Sequence, residues 1–328
     1  MDTITASKVA FVAIGRNEGD RFKRCLASVQ RVADRVVYVD SGSTDGSVAH
    51  ARSKGADVVE LDMSIPFTAA RARNAGAEAV LAKWADTQAI QFIDGDCELE
   101  AGWLAEGVRA LNENPALGLV TGWLRERHPE ASVYNKMCEL EWSGPPGPIE
   151  ASGGNMLVRR KAFDETGGFN PGVVAAEDDE FCVRLSEKGW QLERIGVEML
   201  IHDAAIFHFR EWWTRAIRTG HAYAQVGDLH PEYFVVNRRR TLLWGLAIPV
   251  LALIGFWLWW PLGLLVLALY GVSFAKTFQG LRRRHVDLRD AAQTAGFLVI
   301  AKFPNLWGML TYWQRKLKGR DLTLIEYK

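Results

Sequence analysis

Residues 241–275 form an uninterrupted run of 35 residues without a charged side chain, and this run constrains the fold more than any other feature. One transmembrane helix needs about 20 consecutive apolar residues, so the run exceeds a single span. A buried helical hairpin of a soluble domain is disfavoured, because Trp257, Trp259 and Trp260 cluster in it with little polar cover. We therefore expect a protein that is anchored to a membrane through its C-terminal part.

Arginine triplets flank the apolar run, at residues 238–240 and 282–284. By the positive-inside rule both ends face the cytoplasm, so the number of crossings is even. Two prolines and several glycines divide the run into two predicted helices of about 17 residues, near the lower limit for spanning, which suits a tight or re-entrant hairpin. Residues 291–313 contain a lysine and a proline and are predicted to lie along the membrane interface.

Composition excludes several classes of protein. The 328 residues are 48% hydrophobic, and Lys+Arg 39 balances Asp+Glu 39, which excludes a disordered chain and gives no sign of a nucleic-acid partner. The balance hides an asymmetry, since residues 275–328 carry 11 basic against 4 acidic side chains and leave 28 against 35 for the rest. The four cysteines lie far apart, as expected for reduced thiols, and the N-terminus lacks the pattern of a secretory signal. The N-terminal part is therefore expected in the cytoplasm.

Short apolar runs alternate with helical patterns over the first hundred residues. The runs are residues 8–14, 35–39, 56–61 and 89–93, and residues 70–83 favour a helix. This βαβ alternation predicts an α/β fold in which a mostly parallel sheet is covered by helices on both faces. In open sheets of this kind the ligand binds beyond the carboxyl ends of the strands.

Polar segments follow three of these strands, at residues 15–18, 40–46 and 94–96. The chain has neither a GxGxxG nor a GxxxxGK[ST] motif, so the usual phosphate cradles of dinucleotide-binding and P-loop proteins are missing. Asp94 and Asp96 offer oxygen ligands for a divalent cation that is shared with substrate phosphates. Taken alone, an acidic pair at a strand end is more often simply solvated.

Six motifs follow one another along the chain: VAIGRNEGDRFKRCLASV, VVYVDSGSTDGS, FTAARARNAGAE, FIDGDCELEAGWL, GGNMLVRRKAFDETGGF and AEDDEFCVRLSEKGW. In this order and spacing, over residues 8–209, the chain resembles family 2 glycosyltransferases of the GT-A fold. The resemblance implies that a sugar is transferred from a nucleotide diphosphate donor with inversion at the anomeric carbon. It also implies one carboxylate base and a divalent metal, Mn²⁺ or Mg²⁺.

The resemblance places a set of residues at the donor: Asn17, Glu18, Asp40, Arg73, Asn74, Asp94 and Gly154. The first three would form the floor for the base and ribose, and Arg73 and Asn74 would close around it. Asp96, with Asp94, would ligate the metal at the pyrophosphate. Asn17 and Glu18 also suit the first turn of a helix, and both roles can hold at once.

Glu177 and Asp178 match the acidic pair of the family, in which the Asp deprotonates the acceptor hydroxyl. The resemblance thus makes Asp178 the predicted general base, and repulsion among the four adjacent acids of residues 177–180 would raise its pKa toward a working range. Asp179 stays open as the alternative, since residues 179–180 are more acidic than the family pattern. An acidic helix N-terminus favoured by the helix dipole would explain the same residues without catalysis.

Three further side chains have two interpretations each. His208 is either an additional metal or phosphate ligand, as in some relatives, or a core residue after an apolar run. Arg215 and Arg218 lie between aromatic residues and either hold a lipid pyrophosphate or attract anionic headgroups.

The predicted organisation is a GT-A catalytic domain over residues 1–209, an interfacial helical connector over 210–240, a hydrophobic hairpin over 241–281 and a basic amphipathic tail over 282–328. We predict a glycosyltransferase at the cytoplasmic face of the inner membrane, of the bacterial exopolysaccharide or glycolipid type. Its partners are a nucleotide sugar, with UDP favoured, and a hydroxyl of a lipid-linked acceptor. A polyprenyl-phosphate glycosyltransferase is the first alternative, although the acids at 177–180 would repel a phosphate acceptor. A non-catalytic nucleotide-sugar sensor or assembly scaffold is the second.

Overall fold

The computed structural model describes residues 3–319. The chain forms two compact units: the sheet unit, with the described residues up to His128 and Cys138–Ala205, and the helical unit, with Pro129–Met137 and the described residues from Ile206 onward. The strands are β1 (Val9–Gly15), β2 (Val36–Asp40), β3 (Asp57–Glu60), β4 (Ala89–Asp94), β5 (Cys97–Leu99), β6 (Leu117–Glu126), β7 (Gly147–Pro148), β8 (Met156–Arg159) and β9 (Gln191–His202). The helices up to residue 187 are α1 (Asp20–Gln30), α2 (Ser47–Ser53), α3 (Ala69–Lys83), α4 (Trp103–Glu113), α5 (Val133–Trp142), α6 (Arg160–Thr166) and α7 (Glu177–Glu187).

Within the described part of the chain, the nine strands form one sheet in the order β3-β2-β1-β4-β8-β6-β9-β5, with β7 paired to β9. The first four strands are parallel, as predicted. Strand β8 then runs antiparallel to both β4 and β6, and β5 and β7 run antiparallel to β9. The α/β prediction is confirmed, but the sheet is mixed rather than mostly parallel. The direction of β8 is set by how the chain returns across the sheet, which a four-residue apolar strand does not encode.

Helices cover both faces of the sheet, as the alternation of side chains along β1 shows. Odd-numbered residues from Val9 to Ala13 belong to one buried cluster, together with residues of α1 and α4. Even-numbered residues from Ala10 to Ile14 belong to a second cluster, with residues of α3, α6 and α7. Successive side chains of a strand point to opposite faces, so β1 is buried on both sides. Burying an aromatic or branched side chain of these clusters contributes about 1.5–3 kcal/mol.

The helical unit contains α8 (Phe209–Leu229), α9 (Val235–Leu242), a π-helical turn (Leu243–Ala247), α10 (Ile248–Leu258), α11 (Trp260–Arg283), α12 (Leu288–Ile300) and α13 (Lys302–Leu317). Glycines bring α8 and α13 together: a Cβ on Gly220 would overlap the backbone of Asn305, and one on Gly308 would overlap the backbone of Ile217. The segment predicted to follow the interface, residues 291–313, is thus divided between two helices, and one face of α13 is buried against α8. Its position at a membrane stays a prediction.

Two helices of the helical unit, Val235–Leu258 and Trp260–Arg283, are long and apolar enough to cross a membrane. Each has 24 residues, so they are longer than the short helices predicted from the apolar run alone. The first begins upstream of the arginine triplet at 238–240 and continues through the π-helical turn, and Trp259 separates the two. Many of their large apolar side chains are exposed, including Trp257 at 84%.

Candidate active site

The three polar segments predicted to converge do meet at the carboxyl edge of the parallel strands. In the register of the sheet, Gly15 lies beside Asp40, and Ile14 lies beside Asp94. Backbone hydrogen bonds continue past the strand ends, since the Ser41 N–H donates to the carbonyl of Gly15 over 3.1 Å and the Gly95 N–H donates to Ile14 over 2.7 Å. The loops after β1, β2 and β4 therefore share one edge of the sheet.

Asn17 joins the first two of these loops. Its Oδ1 accepts a 2.7 Å hydrogen bond from the Thr44 N–H, and its own N–H donates to Oγ of Ser43 over 2.9 Å. Its φ of +56° is a left-handed conformation that asparagine tolerates better than most residues. Glu18 forms an ion pair with Arg21 over 2.6 Å. Both residues thus have structural partners in this loop, and their contact with a donor stays a prediction.

Asp40 shapes the loop after β2. Its side chain is buried and accepts hydrogen bonds from the Tyr38 hydroxyl at 2.9 Å and from the N–H groups of Gly42 and Ser43 at 2.9 and 2.8 Å. Gly42 has a φ of +86°, which favours glycine. The carboxylate therefore fixes the turn from within, and its contact with a base or ribose stays a prediction.

Arg73 connects the end of β4 to α7. Its guanidinium, on the buried side of α3, donates to Oδ1 of Asp94 over 2.8 Å and to Oε1 of Glu177 over 2.6 Å. Burial alone would lower the pKa of Arg73, but the Asp94 and Glu177 carboxylates outweigh it and raise that pKa. A Cβ on Gly154 would overlap the same guanidinium, so this position has room only for glycine.

Asn155 belongs to the loop that the resemblance places close to the donor sugar, and that role stays a prediction. Its Oδ1 accepts from the Asp94 N–H over 2.9 Å, and its Nδ2 donates to Oδ2 of Asp94 over 3.1 Å. Asn74, predicted at the donor, instead exchanges two hydrogen bonds with the backbone of Phe169, at 2.7 and 2.9 Å. Asn74 therefore holds the loop after α6 in place, and its contact with a donor stays a prediction.

Asp178 lies in the first turn of α7, which begins directly after the strained residue Ala176, whose φ is +57°. Burial raises the pKa of Asp178 well above its ordinary value, and repulsion by Glu177 and Asp179 adds to this, while Arg73 opposes it. Among residues 3–319, no lysine or arginine forms an ion pair with Asp178. The Asp178 carboxylate thus has the character of a base with a raised pKa, whereas Glu177 is neutralised by Arg73.

A group of three potential metal ligands lies at the ends of β5 and β9. Nε2 of His202 lies 3.1 Å from Oδ1 of Asp96, and a donor atom of Cys97 lies within 4.8 Å of both. Trp142 stacks on the His202 ring, with the ring centroids 4.4 Å apart. A carboxylate and an imidazole at this separation suit a divalent cation, so the residues fit the ion that the sequence implies.

The sequence predicts His208 as a ligand and gives no comparable signal for His202. The group of ligands found among the described residues contains His202 and not His208. His208 is the residue before α8, and its N–H donates to the Glu211 carboxylate over 2.9 Å, which makes it part of a helix cap. Arg215 and Arg218 lie on α8 in the helical unit and are partly exposed. Lipid binding by these arginines and ligation by His208 stay predictions.

Comparison with known proteins decides the family. Residues 115–313 match the model of glycosyl transferase family group 2, and residues 12–167 match that of glycosyl transferase family 2. The chain belongs to the family 2 glycosyltransferases. As a member of this family it is similar to the pre-mycofactocin glycosyltransferase of Mycobacterium tuberculosis (strain ATCC 25618 / H37Rv), which is 25% identical over 234 residues, 66% of this chain and 47% of that protein.

Other members of the family resemble shorter parts of the chain. An uncharacterized glycosyltransferase of Rickettsia bellii is 42% identical over 59 residues, 18% of this chain and 20% of that protein. The chain thus spans about half or less of the length of these curated relatives. Among solved structures, the mannosyltransferase PcManGT from Pyrobaculum calidifontis, in complex with GDP-Man and Mn²⁺, has a TM-score of 0.58 and 18% identity, covering 93% of this chain and 89% of that one. This likeness supports the α/β GT-A fold.

Proposed function

We propose that this chain is an inverting glycosyltransferase that moves a sugar from a nucleotide diphosphate donor to a hydroxyl of a lipid-linked acceptor. The observation that carries the proposal is the Arg73 link, which holds Asp94 at the donor edge and Glu177 next to Asp178. The buried Arg73 guanidinium thus orders two parts of the site. One is the Asp94 carboxylate on the donor side, and the other is the first turn of α7, which carries the proposed base Asp178. A protein that only senses nucleotide sugars would not need the link from Arg73 to Glu177, which orders the helix turn of the base.

Asp178 is the proposed general base. Its carboxylate would accept the proton of the acceptor hydroxyl while that oxygen forms a bond to the anomeric carbon, and the bond to the diphosphate breaks with its electron pair leaving on the diphosphate. Attack from the face opposite the leaving group inverts the anomeric carbon. The raised pKa of Asp178 suits this step, because a base is most effective when its pKa lies near the working pH.

The donor would bind at the edge formed by the loops after β1, β2 and β4. Gly154 lets the Arg73 guanidinium pack against its backbone, and Asp94 is held by both Arg73 and Asn155. Asp96 and His202 would hold Mn²⁺ or Mg²⁺, which when bound neutralises the charge that develops on the diphosphate. The similar fold of PcManGT, solved with GDP-Man and Mn²⁺, supports a nucleotide sugar and a divalent ion here, and UDP and GDP are the bases to compare first.

A lipid-linked acceptor follows from the helical unit. The helices Val235–Leu258 and Trp260–Arg283 expose a large apolar surface, which is costly in water and stabilising in lipid. If this pair spans the membrane, the arginines near both of its ends would lie at headgroup level, and the positive-inside rule favours the cytoplasmic side for them. We therefore propose that the enzyme works at the cytoplasmic face of the inner membrane, where a polyprenyl-pyrophosphate oligosaccharide or a glycolipid presents its hydroxyl.

The test is a transfer screen with the detergent-purified full chain. UDP-, GDP- and dTDP-sugars are supplied with Mn²⁺ or Mg²⁺ and a membrane lipid extract, and the anomeric configuration of the product is read by NMR. Metal-dependent transfer of one sugar into the lipid fraction with inverted configuration is the expected result. Transfer onto a polyprenyl phosphate itself would support the first alternative, and nucleotide binding without any transfer would support a sensor.

A further inference from the structure

Cys97 lies beside the proposed cation site on a strand that fixes its position. In the antiparallel pairing of β5 with β9, Cys97 is directly opposite His202. Its thiol donates to Oδ1 of Asp96 over 3.7 Å, the oxygen that also lies 3.1 Å from Nε2 of His202. One carboxylate oxygen thus has an imidazole nitrogen and a thiol sulfur as neighbours.

We infer that Cys97 is a sulfur ligand of the cation and that it shifts the metal preference of this site toward softer ions. The inference rests on the proposed function, because it concerns the same cation. Ligand atoms that share one ion at 2.0–2.3 Å are separated by roughly 3–4 Å. The separations from Asp96 to His202 and to Cys97 both lie in this range.

The side chains around Asp96, Cys97 and His202 favour coordination of a cation without a change of side-chain conformation. Trp142 stacks on the imidazole and holds its plane, so Nε2 points toward Asp96 without a rotation. The thiol is 1% exposed, and the strand pairing sets its direction. Cys97 also belongs to the buried cluster on this face of the sheet. The experiment must therefore distinguish a metal ligand from a residue that only packs in the core.

A mixed oxygen, nitrogen and sulfur site has a definite chemical consequence. Thiolate ligands select Zn²⁺ and Co²⁺ over Mg²⁺, which prefers oxygen. The ion binds the thiolate, so coordination releases the thiol proton to solvent. We therefore expect Co²⁺ and Zn²⁺ to bind more tightly than Mn²⁺, and Mg²⁺ to bind most weakly.

Cobalt titration of the full chain in detergent tests this directly. Co²⁺ bound by a thiolate has a sulfur-to-metal charge-transfer band in the near ultraviolet, which oxygen and nitrogen ligands do not produce. The native protein should show this band, and Cys97→Ser should lose it and bind Co²⁺ about tenfold or more weakly, with a smaller change for Mn²⁺. Cys138→Ser, which alters another buried thiol, is the matched control and should keep the band.

Three outcomes would overturn the inference. If calorimetry shows that the native protein binds Co²⁺ but the charge-transfer band does not appear, sulfur is not a ligand. The proposed function then stands with an oxygen and nitrogen site. If Cys97→Ser keeps the band, the sulfur comes from elsewhere. If no divalent ion binds the native protein, the cation of the proposed function fails as well. Circular dichroism and a second variant, Cys97→Ala, show whether a lost band reflects a lost ligand or a lost fold.

Discussion

Asn155 and Asp94 are joined by two hydrogen bonds, one from the Asp94 N–H to Oδ1 of Asn155 at 2.9 Å and one from Nδ2 of Asn155 to Oδ2 of Asp94 at 3.1 Å. The pair connects the end of β4 to the start of β8, where the direction of the sheet changes. The orientation of the Asp94 carboxylate is thus set from both sides, by Asn155 and by Arg73. Neither partner lies near Asp94 in sequence.

Replacing Asn155 with Ala should disorder this carboxylate. Loss of a partner for a buried polar group costs about 1–3 kcal/mol, so we expect a lower free energy of unfolding and a donor KM raised about tenfold. Chemical denaturation and steady-state kinetics measure the two effects. Asn114→Ala, which removes exposed side-chain hydrogen bonds to Gln191 and from the Ala116 N–H, is the control, and equal behaviour of the two variants would contradict the role of Asn155.

Replacing Asp178 with Asn should abolish the base and leave the donor site intact. We expect kcat to fall about 10²- to 10⁴-fold with little change in donor affinity measured by calorimetry. The variant should be no less stable than the native protein at neutral pH, since the ionised Asp178 is disfavoured in the fold. Asp179→Asn is the matched variant, and a larger loss of kcat in Asp179→Asn would assign the base to Asp179.

The raised pKa of Asp178 also predicts the pH dependence of the reaction. A base is active only when deprotonated, so kcat/KM should rise as the pH increases through this pKa and stay low below it. Because the pKa is raised, the rise should occur at a higher pH than for an ordinary aspartate. A kcat/KM profile that is flat down to the ordinary range of an Asp would contradict the proposed base.

Replacing Arg73 with Met should destabilise the protein more than the loss of an exposed ion pair. Two carboxylates, Asp94 and Glu177, would be left without their buried cation, and removing one partner of such a pair costs about 3–5 kcal/mol. Adding Glu177→Gln to Arg73→Met should restore part of the free energy of unfolding. Arg109→Met, at an exposed arginine on α4, should change it little, and an equal effect of the two single variants would refute the argument.

Replacing His202 with Ala should weaken cation binding. We expect about a tenfold or greater loss of Mn²⁺ affinity by calorimetry, because the imidazole nitrogen next to Asp96 is removed. His208→Ala distinguishes the two histidines, and it should leave the affinity unchanged if His208 only caps α8. A loss of Mn²⁺ affinity in His208→Ala but not in His202→Ala would identify His208 as the ligand, as the sequence predicts.

Replacing Leu265 with Arg should impair membrane association. Leu265 is 69% exposed in the first third of α11, and a charge in a spanning helix costs up to about 2.5–3.5 kcal/mol on insertion scales, the full amount applying at the helix centre. Flotation with vesicles that contain anionic lipid measures the bound fraction. Ile65→Arg, at an exposed apolar residue of the sheet unit, should float like the native chain, and equal flotation of both variants would count against a membrane-spanning α11.

Much of the sheet and several site residues follow from local sequence. The first four strands match the predicted runs to within a residue or two, because β-branched runs end at turn residues such as Gly42 and Gly46. Asp94 and Asp96 can also be placed at the strand end from local sequence. They are only two residues apart, so their proximity does not depend on pairing between distant segments. The acidic residues 177–180 of α7 can likewise be recognised from the sequence, because they are adjacent in it.

The remainder depends on pairings between distant segments. His202 meets Asp96 only because β9 pairs with β5, and the local signal is merely a histidine at the end of a long strand. Asn74 was placed at the donor by its motif, yet its amide is used by the Phe169 backbone 95 residues later. The mixed direction of the sheet has the same origin, since the orientation of β8 is fixed by its two neighbours.

Gly154 has evolutionary consequences. Its backbone has no left-handed φ, so the restriction comes from the side chains around it: the Arg73 guanidinium fills the space of a side chain, and Oδ2 of Asp94 lies 3.2 Å from the position of a Cβ. Substitutions at positions 73 and 154 should therefore be epistatic: an alanine at 154 is harmful beside arginine and tolerable beside a shorter residue. The two positions are expected to covary among homologues, and a library that randomises 154 alone would recover little except glycine.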